Sequence, residues 1–247
     1  MRPMRGFTLI EMIMAMVVLA FITLGIGTYL QLGAQGYTDT IHRERLQAEA
    51  RFVIERLTRE IRHAAPNSLS FSNGCLSFYP VNLVAAYRSE PDMSGLHVLV
   101  PPDAQQIALW NRELKDYRAA AGFTGAGEYQ AADDDSMVIT GTSKQPTLAD
   151  PTATLQLSQW LGDRSPGKRL YLFSRRVAFC QEGERLIRRV NQGAGEELTD
   201  KLNRFDVALS GSGLNSNGLI HLEMTFADPV SRESSEYSQS VQVINVL

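Results

Sequence analysis

The chain of 247 residues contains few of the residues from which metal centres and catalytic sites are built. It has two cysteines and four histidines, the latter scattered at His42, His63, His97 and His221. Neither a His-x-x-x-His nor a Cys-x-x-Cys pair occurs, so no zinc site is indicated. A phosphate-binding glycine loop and a Gly-x-Ser-x-Gly turn are also missing. The sequence therefore predicts no enzyme, assigns no catalytic or metal-binding residue and implies no cofactor.

The chain also lacks an excess of positive charge. It has 24 Lys and Arg residues against 27 Asp and Glu residues, for a formal net charge of −3, which disfavours a general nucleic-acid-binding protein. The arginines between positions 42 and 62 alternate with glutamates, some at i,i+4 spacing such as Glu55 and Arg59, as is typical of a solvated helix face. Asp133, Asp134 and Asp135 offer oxygen atoms to calcium, but without the ligand spacing of a calcium loop they predict an acidic surface loop.

Charged side chains are absent from Met12 to Leu30. As a helix this run is roughly 28 Å long, close to the ~30 Å hydrocarbon core of a bilayer. Arg2 and Arg5 precede it, which predicts a cytoplasmic N-terminus and an outward-facing C-terminal part. A secretory signal peptide has a shorter apolar core followed by a cleavage site. A plain single-pass anchor fits the length but leaves Glu11 unexplained, because a carboxylate near the bilayer centre costs roughly 2.5–3.5 kcal/mol.

The segment Gly6-Phe7-Thr8-Leu9-Ile10-Glu11, with the apolar run behind it, resembles the processing site of type IV pilins and pseudopilins. The resemblance implies that a prepilin peptidase cuts between Gly6 and Phe7 and methylates the new N-terminus of Phe7. It also implies that the α-amine of Phe7 neutralises Glu11 of a neighbouring subunit inside an apolar filament core. The other implied partners are major and minor pilin subunits and the inner-membrane assembly platform. The implied location is the inner membrane, with the C-terminal domain in the periplasm, and then a pilus or pilus-like filament.

Beyond Gly36 the sequence predicts an amphipathic helix that Pro66 ends. Its apolar positions recur at steps of three and four residues: Leu46, Ala50, Val53, Ile54, Leu57, Ile61 and Ala64. We expect four segments: a leader (1–6), a transmembrane or filament-core helix (7–36), the amphipathic helix (37–65) and a β-rich domain (66–247). Gly25 and Gly27 each weaken the helix by about 1 kcal/mol, either as ordinary tolerance of glycine in a membrane helix or as a segment that loosens on assembly.

After Pro66 the hydrophobic period changes from 3.6 to 2, which predicts antiparallel strands. They are expected at 75–79, 95–100, 136–140, 154–158, 169–181, 184–191, 203–209, 219–227 and 236–246. The clearest hairpin turns at Glu182-Gly183, and a second turns around Asp228-Pro229. A short helix is expected within 105–121 and loops at 122–135 and 141–151. The predicted fold class is α+β, with the long helix packed on a mostly antiparallel sheet.

Cys75 and Cys180 both follow the predicted anchor and would lie in an oxidising compartment, which favours a disulfide over two buried free thiols. The exposed-aromatic candidates for a partner surface are Tyr87, Trp110 and Trp160, although core packing is the default for tryptophan.

Residues 55–68, 71–81 and 177–189 resemble the larger minor pilins of pili of the mannose-sensitive haemagglutinin (MSHA) type. The sequence thus favours a minor pilin-like subunit that acts in pilus assembly by priming or at the tip. A minor pseudopilin of type II secretion and a tip adhesin or DNA-uptake pilin are the alternatives.

Overall fold

The computed structural model describes residues 8–112, 114, 117–133, 138–159, 165, 167–173, 175–191, 193–210 and 218–243. Within these ranges it contains three helices: α1 (Leu9–Arg62), α2 (Ala104–Trp110) and α3 (Ala126–Asp133). The strands are β1 (Ser70–Ser72), β2 (Cys75–Phe78), β3 (Leu83–Tyr87), β4 (Leu96–Leu99), β5 (Arg118–Ala120), β6 (Ile139–Lys144), β7 (Thr152–Leu157), β8 (Arg169–Phe173), β9 (Val177–Glu182), β10 (Arg185–Val190), β11 (Glu196–Thr199), β12 (Leu202–Ser210), β13 (Gly218–Ala227) and β14 (Ser234–Val243). The chain is α+β, as predicted, with antiparallel sheets behind one long apolar helix.

Helix α1 is a single unbroken helix of 54 residues that passes through Gly25 and Gly27. Its buried face is the predicted one and consists of Leu46, Ala50, Val53, Leu57 and Ile61. The helix ends at Arg62, three residues before the predicted end. The reason is that Ala64 already pairs with Pro80, and the backbone N–H of Ala65 donates to the carbonyl of Tyr79 at 2.7 Å.

Two sheets enclose the second half of α1. One has five strands in the order β1-β2-β9-β10-β11, and the other has three in the order β12-β13-β14. Their inner faces and α1 form one hydrophobic core, which we call the helix core; Leu57, Phe179 and Phe226 are fully buried in it. Burial of each such side chain contributes about 1.5–3 kcal/mol, so this packing holds the helix to the domain.

A third sheet has its own hydrophobic core and is inserted between β2 and β9. Its six strands follow the order β5-β8-β3-β4-β7-β6, and α2 and α3 belong to it. We call residues 81–173 the inserted module. Its core contains Trp110, Tyr129 and Phe173 but no residue of α1. The sequence predicted a single sheet packed on the helix. The described residues instead form three sheets, two around the helix core and one around the core of the inserted module.

The predicted strand 169–181 is wrong, because two strands of different sheets occupy it. Strand β8 pairs with β3 and β5 in the inserted module, whereas β9 pairs with β2 and β10 beside the helix. Between them, the backbone N–H of Arg176 donates to Oδ1 of Asn191 at 2.7 Å and its Nη2 donates to Oγ of Ser77 at 3.0 Å. The alternation of apolar residues continues across this change of partners, so it could not show the break.

The predicted helix within 105–121 is right only in its first part. Helix α2 starts after Asp103, whose Oδ1 accepts the N–H groups of Gln105 and Gln106, and it ends at Trp110. Residues 118–120 instead pair with β8 as strand β5. The two predicted loops are wrong in part, because 122–135 contains α3 and 141–151 begins inside β6. Strands β1, β3 and β11 were also not predicted.

Both predicted hairpins are present. Strands β9 and β10 are joined by Gly183-Glu184, one residue later than predicted, and the φ of +64° at Gly183 suits glycine. Strands β13 and β14 pair without interruption from Ala227↔Ser234 to Gly218↔Val243. The predicted strand positions 136–137 and 244–246 lie outside the described residues.

Candidate functional site

The start of α1 is closed by a reciprocal cap between Thr8 and Glu11. The N–H of Glu11 donates to Oγ1 of Thr8 at 3.4 Å, and the N–H of Thr8 donates to Oε2 of Glu11 at 3.4 Å. This capping box satisfies two backbone donors that an open helix end leaves unpaired. Oε1 of Glu11 has no partner within the described part of the chain, so the carboxylate can accept a further donor. Gly6 and Phe7 lie outside the described residues.

The first half of α1 contacts nothing else in the described structure and is exposed from Leu9 to Thr40. Large apolar side chains lie open along it, with Phe21 71% and Tyr29 78% exposed. Its apolar part is long enough to cross a membrane. Such a surface is not stable in water, so this half of the helix requires lipid or the apolar helices of other subunits around it.

The threonine hydroxyls inside this apolar stretch are already satisfied. The hydroxyl of Thr23 donates to the carbonyl of Leu19 at 2.8 Å, and that of Thr28 donates to the carbonyl of Leu24 at 3.0 Å. Bonds to the carbonyl four residues earlier leave no free hydroxyl to solvate. The threonines therefore fit the same apolar surroundings as their neighbours.

Ion pairs hold the second half of α1 to the sheets. Glu60 accepts from Nε of Arg56 at 3.2 Å and from Nε of Arg188 at 2.9 Å, and Arg56 also reaches Glu196 at 3.0 Å. The prediction of a self-paired solvated face is thus only partly right: no described ion pair joins Glu55 to Arg59. No local pattern indicates Arg188 and Glu196, because they lie more than 120 residues from their partners.

A second set of charges lies where the helix leaves the domain. Nη2 of Arg43 binds Oε1 of Glu233 at 2.8 Å, and this hydrogen bond lowers the pKa of Glu233 below its usual range. Asp228 lies 3.7 Å from Nδ1 of His42 and 3.8 Å from Nζ of Lys201. Backbone hydrogen bonds, the strongest from Val230, keep the pKa of Asp228 low. The loop between β13 and β14 is therefore fixed to the helix by carboxylates.

Cys75 and Cys180 are joined by a disulfide with an S–S distance of 2.13 Å. They are directly opposite each other in the pairing of β2 with β9. The chain leaves the helix core after β2, forms the inserted module and returns to the helix core in β9. Of the other residues singled out from the sequence, Tyr87 and Trp110 are buried in the core of the inserted module. Asp133 ends α3, while Asp134, Asp135 and Trp160 lie outside the described residues.

The side-chain cluster that most resembles a catalytic site lies on the inserted module. Oγ of Ser94 is 2.9 Å from Nε2 of His97 and 2.5 Å from Oδ1 of Asp92. The hydroxyl and the backbone N–H of Ser94 both donate to Asp92 and lower its pKa. In a catalytic triad the acid and the nucleophile occupy opposite ring nitrogens. Here both lie on the Nε2 side, while Nδ1 faces Thr154. The described residues also contain no group of three or more His, Cys, Asp or Glu side chains placed to hold a metal ion.

Residues 1–27 match the family model of the prokaryotic N-terminal methylation motif. No curated protein and no solved structure matches the chain. The matched segment includes Gly6, Phe7 and Glu11 and runs into the exposed half of α1, and the motif implies processing by prepilin peptidase and assembly with other pilins. The apolar helix and the motif also support anchoring in a membrane. The motif, the apolar helix and the antiparallel sheets together support a protein of the type IV pilin or pseudopilin type.

Proposed function

We propose that the chain is a minor pilin-like subunit of an MSHA-type type IV pilus that acts in pilus assembly, by priming or at the tip. The observation that carries the proposal is the division of α1 into an exposed apolar half and a half built into a folded domain. The exposed residues 9–40 extend about 48 Å, enough to cross a membrane first and to pack among other helices afterwards. The MSHA assignment rests on the resemblance of the helix end and the β9–β10 hairpin to the minor pilin MshO.

Processing would occur between Gly6 and Phe7 by prepilin peptidase, with methylation of Phe7. The new amine of Phe7 would then pair with Glu11 of an adjacent subunit. The open Oε1 of Glu11 supports this pairing, because the cap to Thr8 uses only Oε2. Within an apolar filament a charged carboxylate without a cation is strongly unfavourable, so the pairing would also fix the axial position of each subunit.

The inserted module supports a minor role over a shaft role. It adds a second core to the domain, and a repeated shaft subunit must fit its whole domain between identical neighbours. A minor pseudopilin of a type II secretion system fits the same architecture and would use the same helix. The module is also compatible with a tip adhesin or a DNA-uptake pilin. Glycan- and DNA-binding measurements on the full-length chain in detergent distinguish these two functions from a role in assembly alone.

Substitution of Glu11 tests the proposed function. Glu11→Gln keeps an oxygen that can accept the Thr8 N–H, because Gln also forms capping boxes, but it removes the charge. We expect Glu11→Gln and Glu11→Ala to be processed and to reach the membrane, yet to fall at least about tenfold in sheared filaments. Glu44→Ala, an exposed glutamate further along α1, is the matched control and should assemble normally. Normal assembly of Glu11→Gln would show that the cap, and not the charge, is what Glu11 provides.

A further inference from the structure

Strand β14 leaves a long sheet edge open. It forms ten consecutive pairs with β13 and has no register shift. On its other side no strand is paired with it in the part of the chain that the structure describes. An edge of this kind presents a row of backbone donors and acceptors to any strand that approaches it.

The direction of these backbone groups follows from the pairing. The N–H of Ala227 donates to the carbonyl of Lys201, on the β12 side, so Ala227 is not hydrogen-bonded to its partner Ser234. N–H and C=O groups alternate in direction along a strand. The backbone N–H and C=O of every second residue of β14 therefore point away from β13, toward the open edge. These residues are Ser234, Glu236, Ser238, Ser240 and Gln242, and all five are exposed. Only the carbonyl of Ser240 has a partner in the described structure, the side-chain amide of Gln239 at 3.2 Å.

The other sheet edges of the described chain are protected. Strands β1 and β5 have three residues each, and β11 has four, two of them glutamates. Strand β12 carries a register shift and the ion pair of Arg204 with Asp206, and β6 carries two register shifts and Lys144. Strand β14 has no Pro, Lys, Arg or bulge, and its one charge is Glu236. Short, bulged or charged edges prevent pairing with other chains, so the unprotected edge of β14 points to a real partner.

Strand β14 runs along α1, away from the membrane end. Glu233, just before the strand, binds Arg43, and Val243, at its end, lines the same small cavity as Asn67 and Leu69 beyond the end of α1. The lengths agree, since α1 rises about 28 Å from Arg43 to Arg62 and ten strand residues extend about 30 Å. The open edge is therefore aligned with the anchoring helix.

This alignment limits what can occupy the edge. Antiparallel pairing of β14 with β14 of a second copy would turn the second helix upside down, whereas both helices enter the membrane in the same direction. A second copy could offer β12, which runs parallel to β14, but that edge is bulged and charged. A different subunit can offer a strand that runs back toward the membrane.

We propose that the open edge of β14 is the docking site for an edge strand of a different pilin-type subunit, paired antiparallel to β14. This rests on the proposed function, since it requires neighbours anchored in the same way. The docked strand would have apolar side chains on the face shared with Tyr237, Val241 and Val243, which contact the helix core, and small polar ones beside Ser238 and Ser240.

Photo-cross-linking of the full-length chain in its own cells tests the proposal. The photoreactive residue p-benzoylphenylalanine replaces Ser238 in one strain and Ser143, exposed on the protected β6 edge, in the control strain. We expect a product only from position 238, joined to a strand of another chain that carries a prepilin motif. A product joined to a second copy of this chain, or no product, overturns the proposal.

A second variant tests the backbone pairing itself. Glu236→Pro removes one outward N–H and leaves the hydrogen bonds to β13 intact, whereas Glu236→Ala removes only the side chain. We expect the first to reduce the cross-link at 238 about tenfold or more and the second to leave it unchanged. An equal yield from both variants counts against strand pairing. Sheared filaments from the same cells show whether the chain assembles. If the chain is in filaments but gives no cross-link, the docking proposal is wrong and the proposed function stands. If the chain is absent from filaments, the proposed function is wrong.

Discussion

The helix core and the inserted module are built in different ways. The helix core joins segments that are far apart in the sequence, and ion pairs such as Arg188 with Glu60 link residues 128 positions apart. The inserted module is built mostly from residues 81–173 and has a dense aromatic centre, where Tyr129 contacts Phe123 and Phe173 of the module and Tyr79 just before it, at centroid distances of 5.0–5.7 Å. The first core depends on the anchoring helix, whereas the second depends on it only through its points of attachment.

The module is attached to the rest of the domain at several points. Besides the strands β2 and β9, the hydroxyl of Tyr129 donates to the carbonyl of Pro66 at 2.7 Å, and Nδ2 of Asn67 donates to the carbonyl of Phe123 at 2.9 Å. Both bonds connect the segment just after α1 to the module. The helix core is thus tied directly to α1, whereas the module is joined to it through these contacts. Three changes test this difference between the two regions, in order of decreasing effect on stability.

Removal of the disulfide should have the largest effect on both regions. The Cys75–Cys180 bond closes an interval of 105 residues that contains the whole module, and in the chain-entropy model its loss costs about 4–5 kcal/mol. We expect the double variant Cys75→Ser, Cys180→Ser to unfold at a much lower denaturant concentration than the wild type. Reductant should destabilise the wild type similarly and leave the double variant unchanged. Free thiols in unreduced periplasmic protein, detected by alkylation and mass spectrometry, would contradict this.

Loss of the Tyr129 hydroxyl should have a smaller effect, confined to the connection between the regions. Tyr129 is 1% exposed, and burial raises its pKa, so the phenol stays protonated and donates to Pro66. Tyr129→Phe leaves that buried carbonyl unpaired, at a cost of about 1–3 kcal/mol. The control is Tyr117→Phe, because the hydroxyl of Tyr117 has no described hydrogen bond. Equal denaturant midpoints for the two variants would mean that the bond does not couple the cores.

The smallest effect should come from pH acting on two carboxylates beside the helix core, Glu233 and Asp228. The folded-state pKa of Glu233 lies below its ordinary value of 4.5, and that of Asp228 below 3.8, so their contribution is present above those values and is lost as the pH falls through the lower folded pKa. We expect the melting temperature to fall on acidification, and to fall less in Glu233→Gln. An equal loss in the variant would show that Arg43 and Glu233 do not hold the helix.

The parts of the fold that were predictable from sequence are those set by neighbours in the chain. The buried face of α1 from Leu46 to Ile61 follows from its period, and the hairpin at Gly183 follows from one glycine between alternating runs. Thr8 and Glu11 lie three residues apart and form their cap locally. The processing motif is local as well, although the position of Phe7 lies outside the described residues.

The parts that were not predictable depend on distant partners. Nothing near Arg176 shows that the chain changes sheets there, since the deciding contacts are with Ser77 and Asn191. The end of α2 at Trp110 could not be predicted either, because residues 118–120 form a strand by pairing with β8, about 50 residues away in the sequence. The open edge of β14 could be recognised only from the complete strand order. The alternation of side chains along β14 is the same whether a strand is paired on one side or on both.

The position of the disulfide also bears on mechanical strength. A pull on the inserted module reaches the anchoring helix through β2 and β9, which are loaded at their shared end, at Phe78 and Val177. Strands loaded this way separate one pair at a time, like a zipper. Only three pairs would separate before the fourth, Cys75 with Cys180, which the disulfide joins. Tearing would stop at the covalent link, and tension would then pass to β1 and β10 with the rest of the domain still folded.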